Sequence, residues 1–345
     1  MFLERVQFTV VSPRFRRLAL ASVILLASGW LTPPAASAQI DPGPPGTVPG
    51  GGVGGYLEAA PLQLRGALER AASELDQLLT WPAPEQVRQS PARRRLLELR
   101  LLMDFNAYGY DPVLMQILRD AVDDAYEEIG HYQDLAITER VLRTDVPDLL
   151  VEQRLVKMNV AMAAVRSPVV REAIDRTLAA PAQGLQPLTG LQVPRLWAIA
   201  RTQPDPALDS TGNLARLSRA VLVAIRDQGL LVEDVFDLAQ EERFHDVRKA
   251  IRSVLILADL FPETRDATVE ARAAFAGLVS SYGDVNDRLN AYHVAQSIGV
   301  DTVPTAAAVT AAFQKAQDAA QTLRDGGALG ELIERLAAVE VRHRR

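Results

Sequence analysis

Cysteine is absent from all 345 residues. Disulfides, thiolate metal sites and cysteine nucleophiles are excluded with it, so stability has to come from packing. Strand signals are equally scarce, because almost no stretch alternates apolar and polar residues. A phosphate loop set between a strand and a helix therefore has nowhere to form, and the run GGGVGG at 50–55 lies in a low-complexity stretch instead. Neither a Gly-x-Ser-x-Gly elbow nor a His-Glu-x-x-His pair occurs. Aromatic residues make up only 6% of the chain, and Trp30, Trp81 and Trp197 are scattered, which argues against a stacking track for single-stranded nucleic acid. Neighbouring carboxylates such as Asp123–Asp124 and Glu127–Glu128 point partly apart and offer no acid–base pair. The chain reads as a non-enzyme that uses no cofactor.

What it does contain is apolar content, 48%, in a chain long enough to bury a large core. Residues 1–38 read as a secretory signal: Arg14, Arg16 and Arg17 precede the run LALASVILLASGW, Pro33 and Pro34 break it, and Ala36 and Ala38 suit a signal peptidase. Its thirteen apolar residues fall short of the ~20 that span a bilayer, and no later segment is apolar enough to do so. The expected location is periplasmic or extracellular. Removing four arginines (Arg5, Arg14, Arg16, Arg17) and Glu4 with the signal takes the formal net charge from −6 to −9. So acidic a chain repels nucleic acid and anionic membranes in general, and any anion site has to be local.

Residues 39–56, QIDPGPPGTVPGGGVGGY, are too rich in Pro and Gly to bury apolar surface and read as a flexible tether. From about Leu57 the spacing becomes helical and stays so, which predicts an all-α domain over 57–345. Ser90-Pro91, Asp111-Pro112 and Ser167-Pro168 each set a capping side chain before a proline. Helices are predicted at about 58–80, 91–107, 112–142, 147–165, 168–178, 211–228, 231–260, 264–298, 305–324 and 328–342. The break APAQGLQPLTGLQVP, 180–194, divides them into halves of about 57–180 and 195–345. YEEIGHYQDLAI (126–137) and VSSYGDVNDRLN (279–290) align without gaps, pairing Gly130 with Gly283, Gln133 with Asn286 and Asp134 with Asp287. Two readings stay open, an internal repeat and a coincidence between two Ala/Leu-rich helices. A glycine well inside a helix costs about 1 kcal/mol against alanine, and its recurrence predicts close helix packing there.

FHDVRKAIR, 244–252, poses the functional question. His245, Arg248, Lys249 and Arg252 share one helix face, while Val247, Ala250, Ile251, Val254, Leu255 and Ala258 form the apolar back. One reading is an ordinary solvated face, with Glu241 pairing to His245 and Glu242 and Asp246 flanking the row. The other is an anion site: Arg offers phosphate a planar fork, Lys a point charge, and His a donor that strengthens on protonation.

FHDVRKAIRSVLILADLFPE followed by LVSSYGDVNDRLNAYHVA resembles the second half of a CHAD domain, the conserved histidine α-helical domain, over residues 240–293. That family's pattern falls on His245, Arg248, Lys249 and Arg252, then Phe261-Pro262, then Gly283, Asn286 and Asp287, with Tyr282 where leucine is usual. The resemblance implies a two-lobed helical bundle with a pseudo-twofold internal repeat around a basic cavity, and inorganic polyphosphate or another polyanion as the ligand. In the first half the segment SPARRRLLELRLLM has no histidine and offers Arg93, Arg94, Arg95 and Arg100. Arg93, Arg94 and Arg100 are then the expected partners across the pseudo-axis. Asn286 and Asp287 would orient cations rather than touch the anion.

Two rival readings remain. One is a structural or protein-interaction module that has lost its ligand, with Glu241, Glu242 and Asp287 neutralising the basic face. The other is a carboxylate–histidine metalloenzyme built on Glu127, His131 and Asp134, which share a helix face. His293 and His343 read as isolated residues, the latter closing a basic C-terminal end that suits the helix dipole.

Overall fold

The computed structural model describes residues 60–344 except 79–81, 144, 181, 183, 228–240 and 302; for 60–62, 241–244, 303 and 304 only the backbone is described. The expected signal and tether lie outside the described residues, as do Trp30, Trp81 and the side chains of Glu241 and Glu242. Among the described residues the fold is all-α, 81% helical, with thirteen α-helices and no strands. In the first part of the chain they are α1 (Ala60–Gln77), α2 (Pro84–Gln89), α3 (Ala92–Asn106), α4 (Pro112–Leu142), α5 (Asp148–Val165) and α6 (Pro168–Ala179). After them come α7 (Arg195–Ala200), α8 (Ser210–Asp227), α9 (Glu241–Asp259), α10 (Pro262–Thr268), α11 (Arg272–Ser297), α12 (Val303–Asp325) and α13 (Ala328–Arg342).

Two of the three proline-led starts cap as the sequence predicts. Asp111 Oδ1 accepts the backbone N–H groups of Val113 and Leu114 at 2.8 and 3.0 Å, and Ser167 Oγ accepts that of Val170 at 3.3 Å. Ser90 behaves differently, because it closes α2 by donating its N–H to the carbonyls of Gln86 and Val87. Its hydroxyl then reaches only Ala92 N, 3.1 Å away, and α3 begins one residue past Pro91. The single helix expected at 264–298 is two: Thr268 donates its hydroxyl to the Arg265 carbonyl at 2.7 Å, ending α10, and α11 starts at Arg272. The short helices α2 and α7, six residues each, are too brief to show a periodic signal.

What brings the basic helices together is an aromatic cluster. Phe105 near the end of α3 stacks on Trp197 of α7 at 6.0 Å and meets the edge of Phe261, between α9 and α10, at 5.7 Å. Trp197 is 1% exposed and donates its indole N–H to the Asp104 carbonyl at 3.1 Å, while Tyr108 packs edge-on against it. Three helices far apart in sequence are thus pinned at one point. Arg119 of α4 pairs with buried Asp104 of α3 at 2.8 Å, and α11 lies along α4, where Asn290 Nδ2 donates to Asp134 Oδ2 at 2.9 Å.

Candidate anion-binding site

On α9 most of the expected apolar back is buried: Val247, Ala250, Ile251, Val254 and Ala258 are each at most 3% exposed, while Leu255 is only partly buried. The basic front does not face bulk water either. His245, Arg248, Lys249 and Arg252 are all half-buried. Burial is the main reason the Arg248 guanidinium is held below its usual pKa, with Arg252 and Arg93 adding to it and Tyr126 and Asp287 opposing. Burial likewise lowers Lys249, helped by Arg195 and Arg100. It takes the His245 imidazole down to about 4, with Lys249 and Arg248 contributing and Asp246 opposing.

α3 brings two arginines to the same place. The Arg93 guanidinium lies 4.8 Å from the centre of the Tyr126 ring and donates to Gln133 Oε1 at 3.5 Å. Arg100 lies 5.8 Å from that ring and pairs with Asp123 at 2.8 Å. Tyr126 of α4 is 8% exposed. Burial alone would raise its phenol pKa, but Arg93, Arg252, Arg100 and Arg248 together outweigh that and lower it. The phenol therefore sits in the field of four arginines, two from α3 and two from α9.

Arg94 is elsewhere. Its side chain is 58% exposed and turns to Glu98 at 3.2 Å and Asp259 at 3.9 Å, since on α3 it points about 100° away from Arg93. Arg95 pairs with Glu98 at 2.8 Å. Among the described residues, no carboxylate comes within 4.0 Å of the charged nitrogens of Arg93, Arg248, Lys249 or Arg252, and the buried Nε atoms of Arg93 and Arg248 have no hydrogen-bond acceptor. Arg100 is matched by Asp123, and Arg195, at the start of α7, by Asp246.

The glycine of α4 is explained by this cluster rather than by helix–helix contact. A Cβ on Gly130 would stand 2.4 Å from Arg93 Nη2 and 2.6 Å from its Cζ, so the missing side chain makes room for a guanidinium. At Gly283 of α11 the neighbour is again an arginine, Arg248, but its Nη2 would be 3.9 Å away, an ordinary contact. Asn286 and Asp287 are half-buried on the same helix. Burial raises the Asp287 carboxyl pKa against the pull of Arg248 and Arg140, and raises Asp134 against Arg93 and Arg248. Asp287 also lines a cleft of about 740 Å³ with Arg140, Arg143, Asp284, Arg288 and Asp301, where both signs of charge meet.

Glu127, His131 and Asp134 do not converge. His131 is half exposed with Nδ1 3.7 Å from Glu128, Asp134 is held by Asn290, and among the described residues no group of three or more His, Asp and Glu side chains is placed to hold a metal. His343 is not isolated: Nδ1 lies 2.8 Å from Asp209 and Nε2 2.9 Å from Glu263. Folding brings those acids from α10 and the loop before α8 to the chain end, which no local spacing reveals. His293 meets Tyr292 edge-on at 5.6 Å.

Tyr126 and Arg195 escaped the sequence reading. Tyr126 is four residues before Gly130 and so on its face, a signal present in YEEIG, whereas Arg195 begins a six-residue helix without periodicity. Comparison with family models, curated proteins and solved structures returned no match.

Proposed function

We propose that this protein is a non-enzymatic helical binding protein that holds inorganic polyphosphate or a chemically similar polyanion on the cluster around Tyr126. One observation carries the reading: half-buried cations from α3 and α9, helices some 150 positions apart, face one another with no carboxylate partner for Arg93, Arg248, Lys249 or Arg252 among the described residues. Desolvated like charges in mutual repulsion are costly, and a bound polyanion supplies the missing counter-charge. Phosphoryl oxygens suit guanidinium forks, and His245 gains proton affinity beside them.

Within this proposal the fold is a divergent CHAD-like pair of lobes. The recurrence of an arginine over a glycine, Arg93 on Gly130 and Arg248 near Gly283, supports an internal repeat, as do Asp134 and Asp287 at matching places. The proposal also includes export, on the strength of residues 1–38 alone. The rival reading, a module that has lost anion binding, draws on the acids close by: Asp123, Asp134 and Asp287 border the cluster, and Arg100 and Arg195 are already paired.

Retention of polyphosphate on a filter at low salt separates the two. Arg248→Glu with Arg252→Glu should abolish retention while circular dichroism stays helical; unchanged retention removes these residues from the site. Because Arg248 is half-buried, the milder Arg252→Gln serves if the double variant fails to fold, and should weaken retention about tenfold.

A further inference from the structure

The Tyr126 hydroxyl has an unusual set of neighbours. Its ring is the platform for Arg93 and Arg100 from α3, and the charges of Arg248, Lys249 and Arg252 of α9 act on its phenol. Guanidinium and ammonium groups only donate hydrogen bonds. The phenol oxygen can accept from them, but its own proton finds no acceptor among these cations. An oxyanion entering the cluster supplies the acceptor that these cations cannot.

We propose that Tyr126 is a ligand-contacting member of the anion site: its hydroxyl donates a hydrogen bond to a bound oxyanion, and on losing its proton it becomes an internal counter-ion that competes with that anion. This rests on the anion-site reading above and adds a residue and a form of regulation to it. Among the described residues, charged groups around the phenol come from α3, α4, α9 and α11. Arg93, Arg100, Arg248 and Arg252 stay charged throughout the accessible range. Asp123 and Asp134 of α4 and Asp287 of α11 border the cluster; burial raises these carboxyls, Asp123 to about 6, and lowers His245 of α9 to about 4, so all of them change charge well below any phenol. Among the described residues, Lys249 is the other group acting on the phenol that loses charge in the alkaline range, and burial lowers it.

The ionisation is directly visible. Burial raises the phenols of Tyr108, Tyr110, Tyr132 and Tyr282, whereas Tyr126 is lowered despite its burial, so Tyr126 should be the first of these five to ionise. Near-ultraviolet tyrosinate absorbance of the full chain without ligand should show an early step that Tyr126→Phe removes. Added polyphosphate should delay that step.

Binding provides the second readout, with Lys249→Arg in both proteins so that only the phenol titrates. Tyr126→Phe keeps the ring under Arg93 and Arg100 and should bind polyphosphate about fivefold to tenfold more weakly at neutral pH, the loss of one hydrogen bond. Above the phenol's ionisation the parent should lose affinity about tenfold per pH unit, as one-proton linkage requires, while Tyr126→Phe stays level. A purely structural Tyr126 would give both proteins the same pH profile. Polyphosphate retention by the parent together with identical profiles, or the absence of an early tyrosinate step, overturns this inference alone. Failure of the unmodified chain to retain polyphosphate at neutral pH overturns the anion site and this inference with it.

Discussion

Arg93 and Arg94 are adjacent in sequence and have different fates. Arg93 lies close to both Gly130 and the Tyr126 ring, whereas Arg94 pairs at the surface with Glu98 and Asp259. The 100° helical step decides this, and α4 passing over one side of α3 selects which arginine is enclosed. The two glycines at matching places differ in the same local way. In Gly130→Ala the new Cβ has to displace the Arg93 guanidinium, a flexible end that can move. Helix propensity should offset most of the lost contact, leaving thermal stability within about 1 kcal/mol of the parent while polyphosphate affinity falls severalfold. In Gly283→Ala the Cβ meets Arg248 at an ordinary distance, so stability should rise by up to about 1 kcal/mol with affinity unchanged. Thermal unfolding and filter retention of the two variants side by side check both statements. The triplet RRR was visible in the sequence as basic; which member is enclosed was not.

At the scale of elements, the chain end is locked by charge. His343 follows α13 and bridges Asp209 and Glu263, Arg344 and Leu208 form an isolated backbone bridge, and Glu340, only 7% exposed, receives Arg219 of α8 at 2.7 Å. Gly212 permits the approach, since a Cβ there would stand 2.8 Å from His343 Cβ. Burial alone would lower the His343 imidazole pKa, but its bonds to Glu263 and Asp209 outweigh burial and raise it. A histidine raised on folding contributes stability that is full below its unfolded value near 6.5 and is lost as pH climbs through the folded value. The bond from His343 holds Glu263 below the usual carboxylate range. Asp209 is also lowered, its bonds from Gly212 and His343 outweighing a burial that would raise it. Their share of stability is present above the unfolded carboxylate range and is lost as pH falls through the folded values. The clasp therefore holds best in mildly acidic solution, and the melting difference between the parent and His343→Ala should shrink as pH rises from about 6 to about 8. A difference that is constant across that range would show that His343 acts by packing alone. Helix existence and the caps at Asp111 and Ser167 were legible from spacing and proline position. This clasp was not, because its members come from three separate segments.

For the whole molecule, the central tension is a cationic cluster inside a chain of formal net charge −6. Among the described residues most arginines pair with a carboxylate, so the long-range field is acidic, and in the proposed site the cations around Tyr126 are those a ligand would meet. Histidine sets one consequence. With its imidazole lowered to about 4, His245 is neutral in the free protein at neutral pH, and a polyanion beside it raises its proton affinity. Binding should then take up protons at pH values from about 4 upward, and affinity should grow as pH falls into that window. The sequence alone sets that window in the neutral region; burial on α9 moves its lower edge to more acidic pH. Calorimetry in two buffers of different ionisation enthalpy should show net proton uptake near about pH 5 and none near about pH 8, and no uptake at either pH would remove His245 from the site. By itself the sequence determined the all-α class, the absence of cysteine chemistry, most helix spans and the amphipathic character of FHDVRKAIR, because these follow from composition and periodicity along one element. Only the tertiary structure decided that Phe105, Trp197 and Phe261 pin α3, α7 and α9 together, that Tyr126 lies under Arg93 and Arg100 within the field of Arg248 and Arg252, and that Arg94 does not join them. Those outcomes depend on which faces of distant helices meet, and no local pattern encodes that.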